Sequence, residues 1–248
     1  KDFDKDTLAG LDSIDRINPF ATYLEDSTLS RVGGWIDTGS YVLNAIISGS
    51  IHGGIPKGRV TMMGGESMTG KTLFVLKILA NAQKEGLIPV IFDTENAVDP
   101  EGAERIGLDI SKVKYVPCVT IEQTRNALYK FLTSVKEKGL EGKFIVAIDS
   151  LGNLQSELEH NRMNKDSTSS DMGTKARAMK SLMQTCTNLG ATTQTTILCT
   201  NHVYDDPAAM FPSIEKHMPG GKSIVYLPSV TVQLARKPMK SDGGKTMD

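Results

Sequence analysis

Residues 64–72 read G-G-E-S-M-T-G-K-T, and within them Gly65, Gly70, Lys71 and Thr72 fill the G-x-x-x-x-G-K-[ST] spacing of a phosphate-binding loop. Glycines let the backbone curl so that the N–H groups of Gly65, Glu66, Ser67, Met68, Thr69 and Gly70 face one anion, and the helix that follows adds its positive end. Lys71 then reaches the β and γ phosphates of a nucleotide. Thr72 offers a hydroxyl to a magnesium ion bridging the same phosphates.

Three further stretches end in groups that suit this chemistry. The apolar run 144–148 closes on Asp149, a carboxylate that would share the magnesium with Thr72. The run 88–92 closes on Asp93-Thr94-Glu95, where a base or water-orienting group for hydrolysis is expected; spacing alone leaves both Glu95 and Asp93 as candidates. The run 195–200 closes on Asn201-His202, polar groups able either to sense the γ phosphate or simply to cap a strand.

Such groups converge only if their strands lie side by side in one direction. Apolar strands at 59–63, 88–93, 114–116, 144–149, 195–201 and 230–235 alternate with helical patterns at 41–47, 73–84, 100–106, 121–138 and 172–188. That rhythm predicts an α/β fold, a mainly parallel sheet flanked by helices, whose ligands sit beyond the carboxyl ends of the strands. Residues 35–248 are read as one core and residues 1–34 as a short N-terminal arm, with Leu8, Leu11, Ile14 and Ile17 on one helix face before Pro19. Polar runs at 157–171 and 203–221 break the rhythm and read as long functional loops at the nucleotide edge.

With 39% hydrophobic and 23% charged residues the chain is expected to be a folded soluble protein, and no apolar run is long enough to cross a bilayer. Cys118, Cys186 and Cys199 lack paired spacing and read as reduced thiols of a cytoplasmic protein. A net charge of −1 excludes a uniformly basic nucleic-acid binder. The charge is uneven, however: residues 1–30 carry seven acids and three bases, residues 175–248 nine bases and five acids, so a polyanion would meet the second half. Lys1 is not a natural start, which suggests that the native chain begins upstream.

On these residues the chain resembles the RecA-type recombinases, and most closely the UvsX-like recombinases of bacteriophages. The resemblance runs over residues 36–237 and is carried by G-G-I-P-K-G-R-V before the loop, F-D-T-E-N-A-V-D-P at 92–100, A-I-D-S-L-G-N-L at 147–154, T-N-H at 200–202, and the Met210-Phe211 and Gly220-Gly221 pairs. It implies a RecA-like P-loop NTPase core using ATP and magnesium, with Glu95 orienting the attacking water, Asp149 on the metal, and Asn201 and His202 coupling the γ phosphate to DNA. Bacterial RecA has Gln where this chain has His202, whereas UvsX-like members carry His. The two long loops match DNA-binding loops lining a helical filament, which points to Arg177, Phe211, Gly220, Gly221 and Lys222, while Tyr226 matches an aromatic that couples neighbouring subunits. The acidic arm matches a polymerisation segment in place only. The family's cationic residues on the neighbour's ATP would lie beyond Asp248, so the chain is expected to be a truncated core.

The resemblance implies a DNA-dependent ATPase that forms filaments on single-stranded DNA, pairs it with a homologous duplex, and works with single-strand-binding and loader proteins in the cytoplasm, host cytoplasm if phage-encoded. A regulator or mediator of the same superfamily without strand exchange, and a hexameric helicase motor, share the core. DNA-stimulated turnover with filaments separates the first from the second, and a ring with unwinding activity would identify the third.

Overall fold

The computed structural model describes residues 4–18, 21–27, 29–163, 172–204, 217–236, 239–240 and 246–247. Six strands form one sheet: β1 (Val60–Gly65), β2 (Ile88–Asp93), β3 (Lys114–Pro117), β4 (Phe144–Asp149), β5 (Thr196–His202) and β6 (Val230–Leu234). Their order is β3-β2-β4-β5-β1-β6, and every pairing is parallel. All six carboxyl ends therefore meet one edge, and the reversal of order between β1 and β4 opens a crevice there.

Helices cover both faces. One face of the sheet packs on α2 (Tyr41–Ser48), α3 (Lys71–Lys84) and α4 (Pro100–Ile106), through residues such as Met63, Ile91, Ile145 and Leu198 against Leu43, Val75, Ile78, Leu79 and Ala103. The opposite face carries Met62, Phe92, Val146, Ile148 and Cys199 onto α5 (Ile121–Glu137) and α7 (Met172–Thr192). Within β4 the two faces alternate residue by residue, as a strand buried on both sides requires. Met179, Leu182, Met183 and Cys186 give α7 its core stripe at helical spacing.

The ends of β2 and β4 fall where the sequence places them, since each apolar run stops at an acid. The polar run from 157 differs from expectation: Glu157–Met163 forms helix α6. Ser156 and Glu159 cap it reciprocally, Ser156 N donating to Glu159 Oε2 at 2.9 Å and Glu159 N to Ser156 Oγ at 3.2 Å. That is the S-x-x-E capping box, a start signal that outweighs the polar composition. Helix α1 (Lys5–Ile17), capped by Asp4, leaves Leu8, Ile14 and Ile17 exposed. No described helix is long and apolar enough to cross a membrane. All three cysteines are free and buried.

Candidate active site and nucleic-acid interface

The loop between β1 and α3 has a backbone that side chains would obstruct. Gly70 has φ +89°, in the left-handed region, and a Cβ on Gly65 would crowd Thr69 and the Leu234 carbonyl. No side chain caps α3, so the N–H groups of its first turn point towards whatever anion enters the loop. Lys71 is buried, and its Nζ donates to the carbonyls of Gly65 at 2.8 Å and Glu66 at 2.7 Å. Burial pushes its ammonium below the usual lysine range, with Asp149 and Glu95 partly offsetting this.

Strand β4 delivers Asp149 to the same crevice. Thr72 Oγ1 donates to its Oδ2 at 2.7 Å, and Thr200 Oγ1, on β5, donates to its Oδ1. Burial pushes the Asp149 carboxyl up; the bonds from Thr200 and Thr72 pull it back, and Glu95 and Asp93 add to the upward push. A buried carboxylate beside a threonine hydroxyl is a hard-oxygen donor pair of the kind that suits magnesium.

The two acids at the end of β2 have different surroundings. Asp93 is buried, and its Oδ1 accepts from the N–H of Glu95 at 2.9 Å and of Asn96 at 2.8 Å, while Oδ2 accepts from the Tyr115 hydroxyl at 3.1 Å. Asp93 thus shapes the turn that presents Glu95. Burial, followed by the charge and hydrogen bond of Asp93, raises the Tyr115 phenol. Glu95 faces the crevice, where its Oε1 accepts from Ser150 Oγ at 2.5 Å and lies 3.1 Å from His202 Nε2, a donor in the corresponding tautomer.

Met68, Lys71, Thr72, Glu95, Asp149 and His202 line one pocket of about 200 Å³. Asn201 stands apart from it: fully buried, it donates from Nδ2 to the Pro219 carbonyl at 3.0 Å and accepts from His202 N at 2.9 Å. Its amide ties the end of β5 to the segment returning from the second long loop, whose two feet pair at Tyr204 and His217.

A second cleft, of about 420 Å³, lies where α7 meets the short helix α8 (Ser223–Tyr226), and Arg177, Lys180, Gly221, Lys222 and Tyr226 line it. None of its three cations forms an ion pair with a described residue. Gly220 and Gly221 have φ +108° and +85°, and a Cβ on Gly220 would run into Ile224. The Gly-Gly pair is therefore required by the turn itself, whatever binds there. Phe211 lies outside the described residues.

The RecA N-terminal domain family matches residues 23–247. The chain belongs to the RecA family. It is 32% identical to Protein RecA of Chlorobium chlorochromatii over 210 residues, which cover 84% of this chain and 55% of that one. It is 33% identical to Protein RecA of Frankia alni over 208 residues, covering 84% and 56%. The chain thus spans a little over half the length of these relatives. The six-stranded parallel sheet flanked by helices is the RecA-like α/β core expected from the sequence.

Four residues around these sites have roles that sequence reading did not single out. Ser150 and Thr200 hold Glu95 and Asp149, Thr94 exchanges bonds with Ser150, and Lys180 joins the cationic cleft. For Lys180 a signal existed, since it stands three positions after Arg177 and so shares its helix face.

Proposed function

We propose that the protein is an ATP-dependent DNA recombinase of the RecA type, a DNA-dependent ATPase that forms a filament on single-stranded DNA and promotes homologous pairing and strand exchange in recombination and repair. The observation that carries this reading is the continuous run of contacts from Glu95 through His202 and Asn201 to Pro219, which joins the pocket for the γ phosphate to the Gly-Gly turn beside Arg177 and Lys222. A γ phosphate that draws His202 away from Glu95 alters the strand end that anchors the loop. Nucleotide state then biases DNA affinity.

In this reading residues 65–72 cradle the phosphates, and Lys71 leaves the loop carbonyls for the β and γ oxygens. Thr72 and Asp149 would hold magnesium, which would supply charge neutralisation for the phosphoryl transfer. Glu95 orients the water. Arg177, Lys180 and Lys222 neutralise DNA phosphates, with Gly220, Gly221 and Phe211 as the further DNA-binding residues, so binding is insensitive to sequence and sensitive to salt. Tyr226, 76% exposed, is available to a neighbouring subunit, and the exposed apolar residues of α1 suit a polymerisation segment within an arm of residues 1–34. His202 favours the UvsX-like phage subtype, acting in the host cytoplasm with single-strand-binding and loader proteins.

The test is Glu95→Gln. It should bind ATP and single-stranded DNA like the parent protein and lose hydrolysis by two orders of magnitude or more, roughly the scale of a lost general base. Turnover near the parent rate would remove Glu95 from the mechanism.

A further inference from the structure

Glu95 has two carboxylate oxygens, and both described donors converge on one of them. Ser150 Oγ lies 2.5 Å and His202 Nε2 3.1 Å from Oε1, and among the described residues no side chain donates to Oε2. Ser150 is fully buried and does not line the pocket. A buried serine can satisfy its hydroxyl on a nearby carbonyl. Here it donates instead to the one carboxylate that points into the crevice from β2.

The backbone around this bond is held from both sides. Thr94 Oγ1 donates to the Ser150 carbonyl at 2.8 Å and accepts from Ser150 N at 2.9 Å, which lashes the end of β2 to the end of β4. Asp93 fixes the peptide of Glu95 through its N–H. Main chain and side chain of Glu95 are thus positioned by separate groups. A carboxylate so held has a defined plane.

We propose that Ser150 is a positioning residue for hydrolysis: its hydroxyl holds Glu95 Oε1 and thereby aims Oε2 at the attacking water. The proposal rests on the ATPase reading above and adds to it the atom of Glu95 that works and the group that aims it. The water oxygen bonds to the γ phosphorus, the bond from that phosphorus to the β–γ bridging oxygen breaks, and ADP leaves with that oxygen. Oε2 accepts the proton the water gives up, and it returns through inorganic phosphate. His202 departs from Oε1 when it turns to the γ phosphate, whereas Ser150, fixed at the end of β4, stays. The serine keeps the carboxylate aligned during the step in which the imidazole is engaged elsewhere.

Steady-state ATP hydrolysis with single-stranded DNA, measured on the full chain for the parent, Ser150→Ala, Glu95→Gln and the double variant, tests this. Ser150→Ala should lower kcat about tenfold, the scale of one hydrogen bond to a charged acceptor, with KM for ATP and affinity for a fluorescent ATP analogue within about twofold. On the Glu95→Gln background the same change should cost nothing more, because the group it aims is gone. Should Ser150→Ala fail to fold, Ser150→Cys, close in volume and a weak donor, takes its place with the same expectation. An unchanged kcat, an equal further loss on the Glu95→Gln background, or a rise in KM that accounts for the whole effect would overturn the proposal. A parent protein without ATP turnover would sink the ATPase reading and the proposal with it, whereas parent turnover with an unaffected Ser150→Ala sinks the proposal alone.

Discussion

Thr72 Oγ1 donates a 2.7 Å hydrogen bond to Asp149 Oδ2, joining the first turn of α3 to the end of β4 across 77 positions of sequence. The parallel sheet makes this possible, because β1 and β4 flank β5 and end at the same edge. It leaves Asp149 a buried carboxylate held by two threonines, well placed for a cation and costly without one.

Asp149→Asn tests that tension. The folded-state pKa of Asp149 is raised from 3.8, chiefly by burial, so the folded chain binds this proton more tightly than the unfolded chain does. Below pH 3.8 both states hold the proton and the group costs nothing; stability falls as pH climbs from there through the raised pKa, and the cost persists above it. With chelator at neutral pH, Asn at this position should therefore raise the melting temperature by about 2–4 °C for each kcal/mol relieved. Magnesium-dependent nucleotide binding should fall at the same time. A lower melting temperature in chelator would contradict the assignment of burial as the dominant cause.

Lys71→Ala should leave the fold intact, since among the described residues Nζ bonds only to the carbonyls of its own loop, while nucleotide affinity drops about 10- to 100-fold, the range for losing hydrogen bonds from a charged donor. Titration with a fluorescent nucleotide, beside a thermal melt, checks both halves. Unaltered affinity would mean that the ammonium never leaves the carbonyls of Gly65 and Glu66.

Gly220→Ala combines a φ of +108° with a clash on Ile224, whereas Gly49→Ala faces φ +75° in open space. The first should destabilise by about 1–3 kcal/mol and the second by less, because only the first adds a steric term to the backbone strain. Chemical denaturation of the two variants side by side decides it. Equal losses would show that the turn before α8 gives way around Ile224.

The thiols offer a check on packing. Cys118 and Cys199 are buried, and their pKa values are pushed up, Cys118 by burial and Cys199 by its thiol hydrogen bond with Cys186 and then burial. Little thiolate is present near neutral pH, so native alkylation by iodoacetamide should be slow and should follow global unfolding. Rapid labelling of the folded chain would place one of these residues nearer solvent.

Much of this architecture is legible in the residues themselves. The boundaries of β2 and β4 follow from apolar runs closed by Asp93 and Asp149, and the loop glycines announce the tight turn between β1 and α3. What sequence cannot carry is convergence. Choosing Glu95 over Asp93 as the acid that faces the pocket depends on Tyr115 and the backbone N–H groups of Glu95, Asn96 and Val98 capturing Asp93. Ser150 meets Glu95 over 55 positions, and Asn201 meets Pro219 over 18, pairings with no periodicity to reveal them. Helix α6 is hidden differently, by a polar composition that masks the short capping signal at Ser156 and Glu159.

The proposed function couples the pocket around Glu95 to the cationic cleft at Arg177 and Lys222. Its most direct test is ATP hydrolysis with and without single-stranded DNA at two salt concentrations, in the parent protein and in Arg177→Ala with Lys222→Ala. DNA should stimulate turnover strongly, an effect that fades as salt rises, with the salt slope of the double variant shallower by about 0.7 for each phosphate it no longer neutralises, and unstimulated turnover unchanged. Turnover that ignores DNA at both salt concentrations, despite intact ATP binding, would contradict it and favour a regulator that carries the RecA core without strand exchange.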